Sequence, residues 1–112
     1  MLIAIPLSNG CLSPHFGHCE EFAILEVDPQ SKVVLNSSRL AAPPHAPGLL
    51  PRWLQEKGVS LVIAGGMGGR AKGLFEQAGI QVVAGAPTAT PEVIVRDYLR
   101  GTLTTGPNVC DH

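Results

Sequence analysis

Little in this sequence carries charge. Asp, Glu, Lys and Arg make up 15% of the 112 residues, and the formal net charge is -1. The eight basic residues are scattered and form no run. Nucleic-acid binding draws on clustered Lys and Arg, so there is no electrostatic case for it. Long apolar runs are missing too. The opening Leu2-Ile3-Ala4-Ile5 stops at Pro6, and no basic leader precedes it. That is too short for a signal peptide or a membrane span, and it reads as a buried strand. Cysteine is scarce: Cys11, Cys19 and Cys110, an odd number with no C-x-x-C pair. A disulfide-stapled secreted domain carries a denser, even set, so a reducing cytoplasm is expected. The opening strand contains no acid. Glu20-Glu21 alone does not supply the carboxylate cluster of a two-metal nuclease. Ser8 and Ser13 show no activating partner. No catalytic residue is assigned, and a binding protein is expected rather than an enzyme.

What is present is a globular composition, 45% apolar, at the length of one domain. One domain over residues 1–112 is expected, with 101–112 as an irregular tail. Residues 2–6 read as a strand, and Leu7-Ser8-Asn9-Gly10 as a turn. Residues 11–20 read as a loop. Residues 22–28 and 33–40 form a hairpin around Asp28-Pro29-Gln30-Ser31. The second of these strands is polar at its end, which suits a sheet edge. Residues 41–48, with three prolines and His45, are a loop. A short helix at 49–57 carries Leu50, Trp53 and Leu54 on one face and stops at Gly58. A buried strand at 59–64 leads into five residues of a glycine-rich loop. A helix follows, with Ala71, Leu74, Phe75 and Ala78 at i, i+3, i+4 and i+7. A strand at 80–84 precedes Thr90-Pro91-Glu92, a helix start. Ile94, Val95, Tyr98 and Leu99 form that helix's apolar face.

The order β-β-β-α-β-α-β-α predicts an α/β protein. A mixed five-stranded sheet with helices on both faces fits it. The three-layer α/β/α ribonuclease H-like arrangement, strand order 3-2-1-4-5 with strand 2 antiparallel, matches this order. A flavodoxin-like sheet needs a helix where residues 28–31 leave only a turn.

Ligands of open α/β sheets bind outside the carboxyl ends of the strands. Four loops meet at that edge: 7–20, 41–48, 65–69 and 85–90. They carry Cys11, His15, His18, Cys19 and His45. Thiols and imidazoles suit soft or borderline transition metals. Their spacing matches no zinc-finger pattern. Cys11 and Cys19 also read as small buried hydrophobes, and His15 as a loop hydrogen-bonder. Cys110 and His112 are further candidate ligands. Residues 102–112 span up to ~36 Å when extended, against ~17–20 Å for a typical strand, so the tail can reach this edge. A frayed terminus is the alternative.

The second element is Gly65, Gly66, Met67, Gly68, Gly69 and Arg70. Residues 66–71 formally match G-x-G-x-x-A between a strand and a helix. No acid closes the next strand to hold a ribose, and no Gly-Lys-Ser/Thr follows. The loop therefore offers backbone N–H groups at a helix start, with Arg70 and Lys72 nearby, to an anion. Tight strand-to-helix packing is the other use of its glycines.

The opening strand, Ser13-Pro14-His15-Phe16-Gly17, Ala64-Gly65-Gly66-Met67-Gly68 and Asn108-Val109-Cys110-Asp111-His112 carry a resemblance. The chain resembles the dinitrogenase iron-molybdenum cofactor biosynthesis family, which includes NifX, NifY, the C-terminal domain of NifB and small stand-alone relatives. The resemblance implies a ribonuclease H-like fold and binding or carrying of iron–sulfur or iron–molybdenum cluster species. It implies His15 as a cluster ligand, and cluster donor and acceptor proteins as partners. The chain lacks the Cys-rich radical-enzyme domain of NifB, so cluster-building chemistry is not expected of it. A small-anion or nucleotide-binding regulatory module, using the glycine loop alone, is the alternative.

Overall fold

The computed structural model describes residues 1–43 and 48–106, and of His18 only the backbone. The chain order is β1 (Leu2–Ser8), β2 (Cys11–Leu12), β3 (Glu21–Asp28), β4 (Val33–Ala41), α1 (Leu49–Glu56), β5 (Val59–Ile63), α2 (Gly69–Gln77), β6 (Gln81–Val83) and α3 (Pro91–Arg100). The protein is a mixed α/β structure. Its sheet has six strands rather than the five expected. Five lie in the order β4-β3-β1-β5-β6, and β2 adds to β1. β1 runs antiparallel to β2 and β3 and parallel to β5, and β5 runs parallel to β6.

The sixth strand comes from the segment read as a loop. Asn9 and Gly10 both take positive φ, 56° and 81°. Two such residues make the mirror-image turn whose twist suits a tight hairpin. The chain therefore folds straight back, and Leu12 pairs with Leu7. β1 also runs through Pro6 to Ser8. Proline cannot donate to a ladder and is usually excluded from central strands. Here β1 pairs with β5 only as far as Ala4, and with β2 only from Leu7. Pro6 falls where the neighbour on that flank changes.

Alternation along the strands divides the core between two faces. Ala4, Phe22, Ile24 and Val62 face Leu50 and Leu54 of α1 and Phe75 of α2. Ile3, Ile5, Leu7, Ala23, Leu25, Leu61 and Ile63 face Ile94 and Val95 of α3. Helices thus cover both sides of the sheet. β4 is an edge strand, and all its residues but Leu40 are exposed. The hairpin before it is held by Asp28, whose Oδ1 accepts the Gln30 N–H at 3.0 Å. That bond, with help from Ser31, holds the Asp28 carboxyl below its ordinary range.

Phe16 lies in a stretch with no periodicity, and its place was illegible in the sequence. It is buried, edge-on to Phe22 at 6.1 Å and to Phe75 at 5.5 Å. Such pairs contribute about 0.5–1.5 kcal/mol beyond area burial. They pin the first loop to the core and leave its neighbour His15 at the surface.

Candidate functional site

Four backbone segments lie side by side at the carboxyl edge of β1, β5 and β6. The first is 13–16. The Ser13 N–H donates to the Pro6 carbonyl at 2.8 Å, and the Ser13 hydroxyl donates to the His15 carbonyl at 2.8 Å. The second is the glycine loop. The Gly66 N–H donates to the Pro14 carbonyl at 2.8 Å, and the Phe16 N–H to the Gly66 carbonyl at 2.8 Å. His15 and Gly66 are thereby bridged as in a parallel ladder. The third segment enters at Gly85, whose N–H donates to the Gly65 carbonyl at 2.6 Å. The fourth is the tail. The Gly106 N–H donates to the Gly85 carbonyl at 2.7 Å. The edge is one hydrogen-bonded row, from His15 through Gly65 and Gly85 to Gly106.

Two glycines make the row possible. A Cβ on Gly65 would lie 2.8 Å from the Ser13 carbonyl oxygen, 3.0 Å from Pro14 Cα and 3.1 Å from a Leu12 methyl. Gly85 has φ +82°, and a Cβ there would run into the Gly106 backbone. Both are needed for close approach of backbone to backbone. Packing is therefore part of what the glycine loop does.

The rest of the loop divides by role. Met67 is 1% exposed and belongs to the core around Phe75. Gly66 already gives its N–H to Pro14. The amino end of α2 starts at Gly69 after Gly68, and no side chain caps it. Its first N–H groups have no intrahelical acceptor by geometry, and Arg70 and Lys72 are part of that first turn. The loop's amides without a side-chain cap are at this end of the helix, while the Gly66 N–H is already engaged.

Of the candidate ligands, Cys11 is half-buried in β2, and His15 is exposed in the 13–16 segment that follows it. Cys19 is 6% exposed and sits in the core cluster with Phe16 and Phe22. Burial pushes its thiol up to about 11. It behaves as a small hydrophobe, not as an edge ligand. His45, Cys110 and His112 lie outside the described residues, and the His18 side chain is not described. Among the described residues no group of three or more His, Cys, Asp and Glu gathers in a way that could hold a metal ion.

A family model, the dinitrogenase iron-molybdenum cofactor family, matches residues 1–101. This chain belongs to that family. The cofactor-family chain is also 34% identical to an uncharacterized protein, MJ0580, of Methanocaldococcus jannaschii, over 92% of its own length and 89% of the relative's. Among solved structures it is similar to PH0822, with 27% identity, a TM-score of 0.85 and 94% of each chain covered. It shares its fold with the apo form of the orange protein from Desulfovibrio gigas. There the identity is 21%, the TM-score 0.71, and the coverage 96% of this chain and 93% of that one. No described helix of the cofactor-family chain is long and apolar enough to cross a membrane.

The cysteine environments give a direct test. At pH 8 roughly one Cys19 in a thousand is thiolate if its thiol titrates near 11. Iodoacetamide at pH 8, followed by peptide mass mapping, should modify Cys11 and leave Cys19 intact until denaturant is added. Equal labelling of the two in the native protein would remove Cys19 from the core. The linkage has a definite sign. The folded-state value is raised from 9.0, so this contribution to stability is full below pH 9. It is lost as pH rises from 9 toward 11.

Proposed function

We propose that this family member binds and carries an iron–sulfur or iron–molybdenum-type cluster, or a precursor of one. It does so without catalysis, between a donor and an acceptor protein in the cytoplasm. The observation that carries this reading is the row of loops from His15 to Gly106, which sets an exposed imidazole and the tail on one edge. The cluster is cargo here. A structural metal ion needs about four protein ligands in a closed shell. A preformed cluster brings its own sulfides, so an open edge with few side-chain ligands suits it. In this reading His15 is the first ligand and Cys11 the second. The amino end of α2, with Arg70, offsets part of the cluster's negative charge. Cys110 and His112 are the tail ligands. Cys110 is four residues beyond Gly106, within ~14 Å of chain. Docking of Gly106 on Gly85 therefore starts the tail at the site, so it need not cross the sheet to reach it. His18 and His45 are reserve ligands from the same loops.

We read the whole of 1–112 as one domain of the ribonuclease H-like class. The order of the five longer strands and the antiparallel β3 support that assignment. The uncapped amino end of α2 favours a second reading, a small-anion or nucleotide-binding module. The engagement of Gly66 and the packing role of Gly65 leave that module few amides.

Anaerobic purification with elemental analysis, and titration with preformed cluster followed by visible absorbance, tests the proposal. Bound iron, molybdenum or copper, or uptake of added cluster, is expected. A colourless protein with no metal and no uptake overturns it. A chain truncated after Gly106 should release its cluster faster than the full chain. Identical loading and release would remove the tail from the site.

A further inference from the structure

The edge strand β4 is long and poorly defended. Natural sheets blunt such edges with charge, proline or strong bulges, because unpaired N–H and C=O groups invite another strand. β4 has nine residues, no proline and one charge, Arg39. Its one irregularity is a register shift at Glu26/Val27, which leaves Leu35 as the extra residue between Val34 and Asn36. Val33, Val34 and Leu35 are 50%, 38% and 61% exposed. They make up most of the exposed large hydrophobics among the described residues.

The order of residues points to an occupant. Read about Ser37, β4 is close to a palindrome: apolar residues at 33–35, polar ones at 36–38, and Leu40 and Ala41 at the far end. A two-fold axis at Ser37 places Val33 against Ala41, Val34 against Leu40 and Leu35 against Arg39 of the other copy. Asn36 then faces Ser38. Apolar meets apolar, polar meets polar, and the Leu35 side chain meets the aliphatic stem of Arg39. No like charges are opposed. In the parallel in-register alternative the two Arg39 side chains would lie together. The flanks agree. Lys32 precedes the strand, while Glu21 pairs with its last residue, Ala41. Antiparallel pairing brings Lys32 of one copy toward Glu21 of the other.

We infer that β4 is the interface of a homodimer, formed by antiparallel addition of a second copy of this chain about Ser37. The contact is isologous, so each pair across it occurs twice. It joins two sheets into one through the edge that lies two strands away from β1, and it leaves the row from His15 to Gly106 open.

The register makes the test specific. Sedimentation of the full chain over a wide concentration range should show a dimer that dissociates on dilution. Leu35→Lys opposes Arg39 twice and should leave only monomer. Leu35→Glu removes as much apolar surface but pairs with Arg39 twice, so it should retain the dimer. Circular dichroism checks that both variants are folded. A monomeric wild type at every concentration overturns the inference. So does a pair of variants that behave alike, whether both are dimeric or both monomeric.

Discussion

Valine at position 65 is expected to lower the stability of this protein by about 3 kcal/mol or more. Overpacking a tight site costs about 1–3 kcal/mol. Here the colliding atoms are the Ser13 carbonyl oxygen at 2.8 Å and Pro14 Cα at 3.0 Å, both backbone. They cannot rotate away as a side-chain tip would. If the 13–16 segment lifts, the Gly66-to-Pro14 and Phe16-to-Gly66 hydrogen bonds break. Each is worth roughly 0.5–1.5 kcal/mol net. The wedge of Phe16 between Phe22 and Phe75 loosens with them. Gly73→Ala is the contrast. It lies within α2, and a Cβ there meets nothing within 4 Å. That change should stabilise by about 0.5–1 kcal/mol, the usual helix-interior difference. Urea unfolding of both variants measures the difference. A Gly65→Val protein as stable as wild type would show that Gly65 does not serve close approach.

The second large effect belongs to His15. His15→Ala should cut cluster affinity by at least about tenfold. Loss of an outer-shell partner alone commonly costs about 10–100-fold in metal-site affinity, and a direct ligand matters at least as much. Stability should change by less than ~0.5 kcal/mol, as for most exposed positions. The backbone of residue 15 carries part of the loop's shape. The Ser13 hydroxyl bonds the residue 15 carbonyl, and the ladder to Gly66 uses main-chain groups. All of these survive in alanine. Cluster titration followed by absorbance, with urea unfolding as the control, separates the roles. Unchanged uptake would remove His15 from the ligand set. Lost uptake together with lost stability would mean that the side chain shapes the loop instead.

Gly65 and His15 also mark the limits of reading a chain by its pattern. All the strands but β2 and all three helices were legible, the strands as apolar-rich segments bounded by turns and the helices from the 3.6-residue spacing of their apolar faces. The edge position of β4 was legible from composition: after Val33-Val34-Leu35 the strand turns polar, where a central strand would stay apolar. The Asn9-Gly10 turn was visible, but the hairpin it makes was not. A two-residue strand has no periodicity to read, and its existence depends on a vacancy beside β1 that β5 leaves after Ala4.

Residue chemistry by itself determined the candidate set: His15, Cys11, Cys19 and the glycines of 65–69, gathered on one edge by element order. Only the tertiary structure decided which of them face solvent. Cys11 and Cys19 are the same residue type in the same loop. One remains half-buried at the end of a hairpin, while the other is packed against Phe16 and Phe22 with its thiol pushed up to about 11. Gly65 and Gly66 read as an anion cradle, yet one is a contact surface for Pro14 and the other has given its N–H away. The tail's return to Gly85 was no more than a reach argument until Gly106 was placed. Composition and local order dictate which groups a chain can offer. Burial and hydrogen-bond partners arise from contacts between segments far apart in sequence, and those contacts determine which groups remain available.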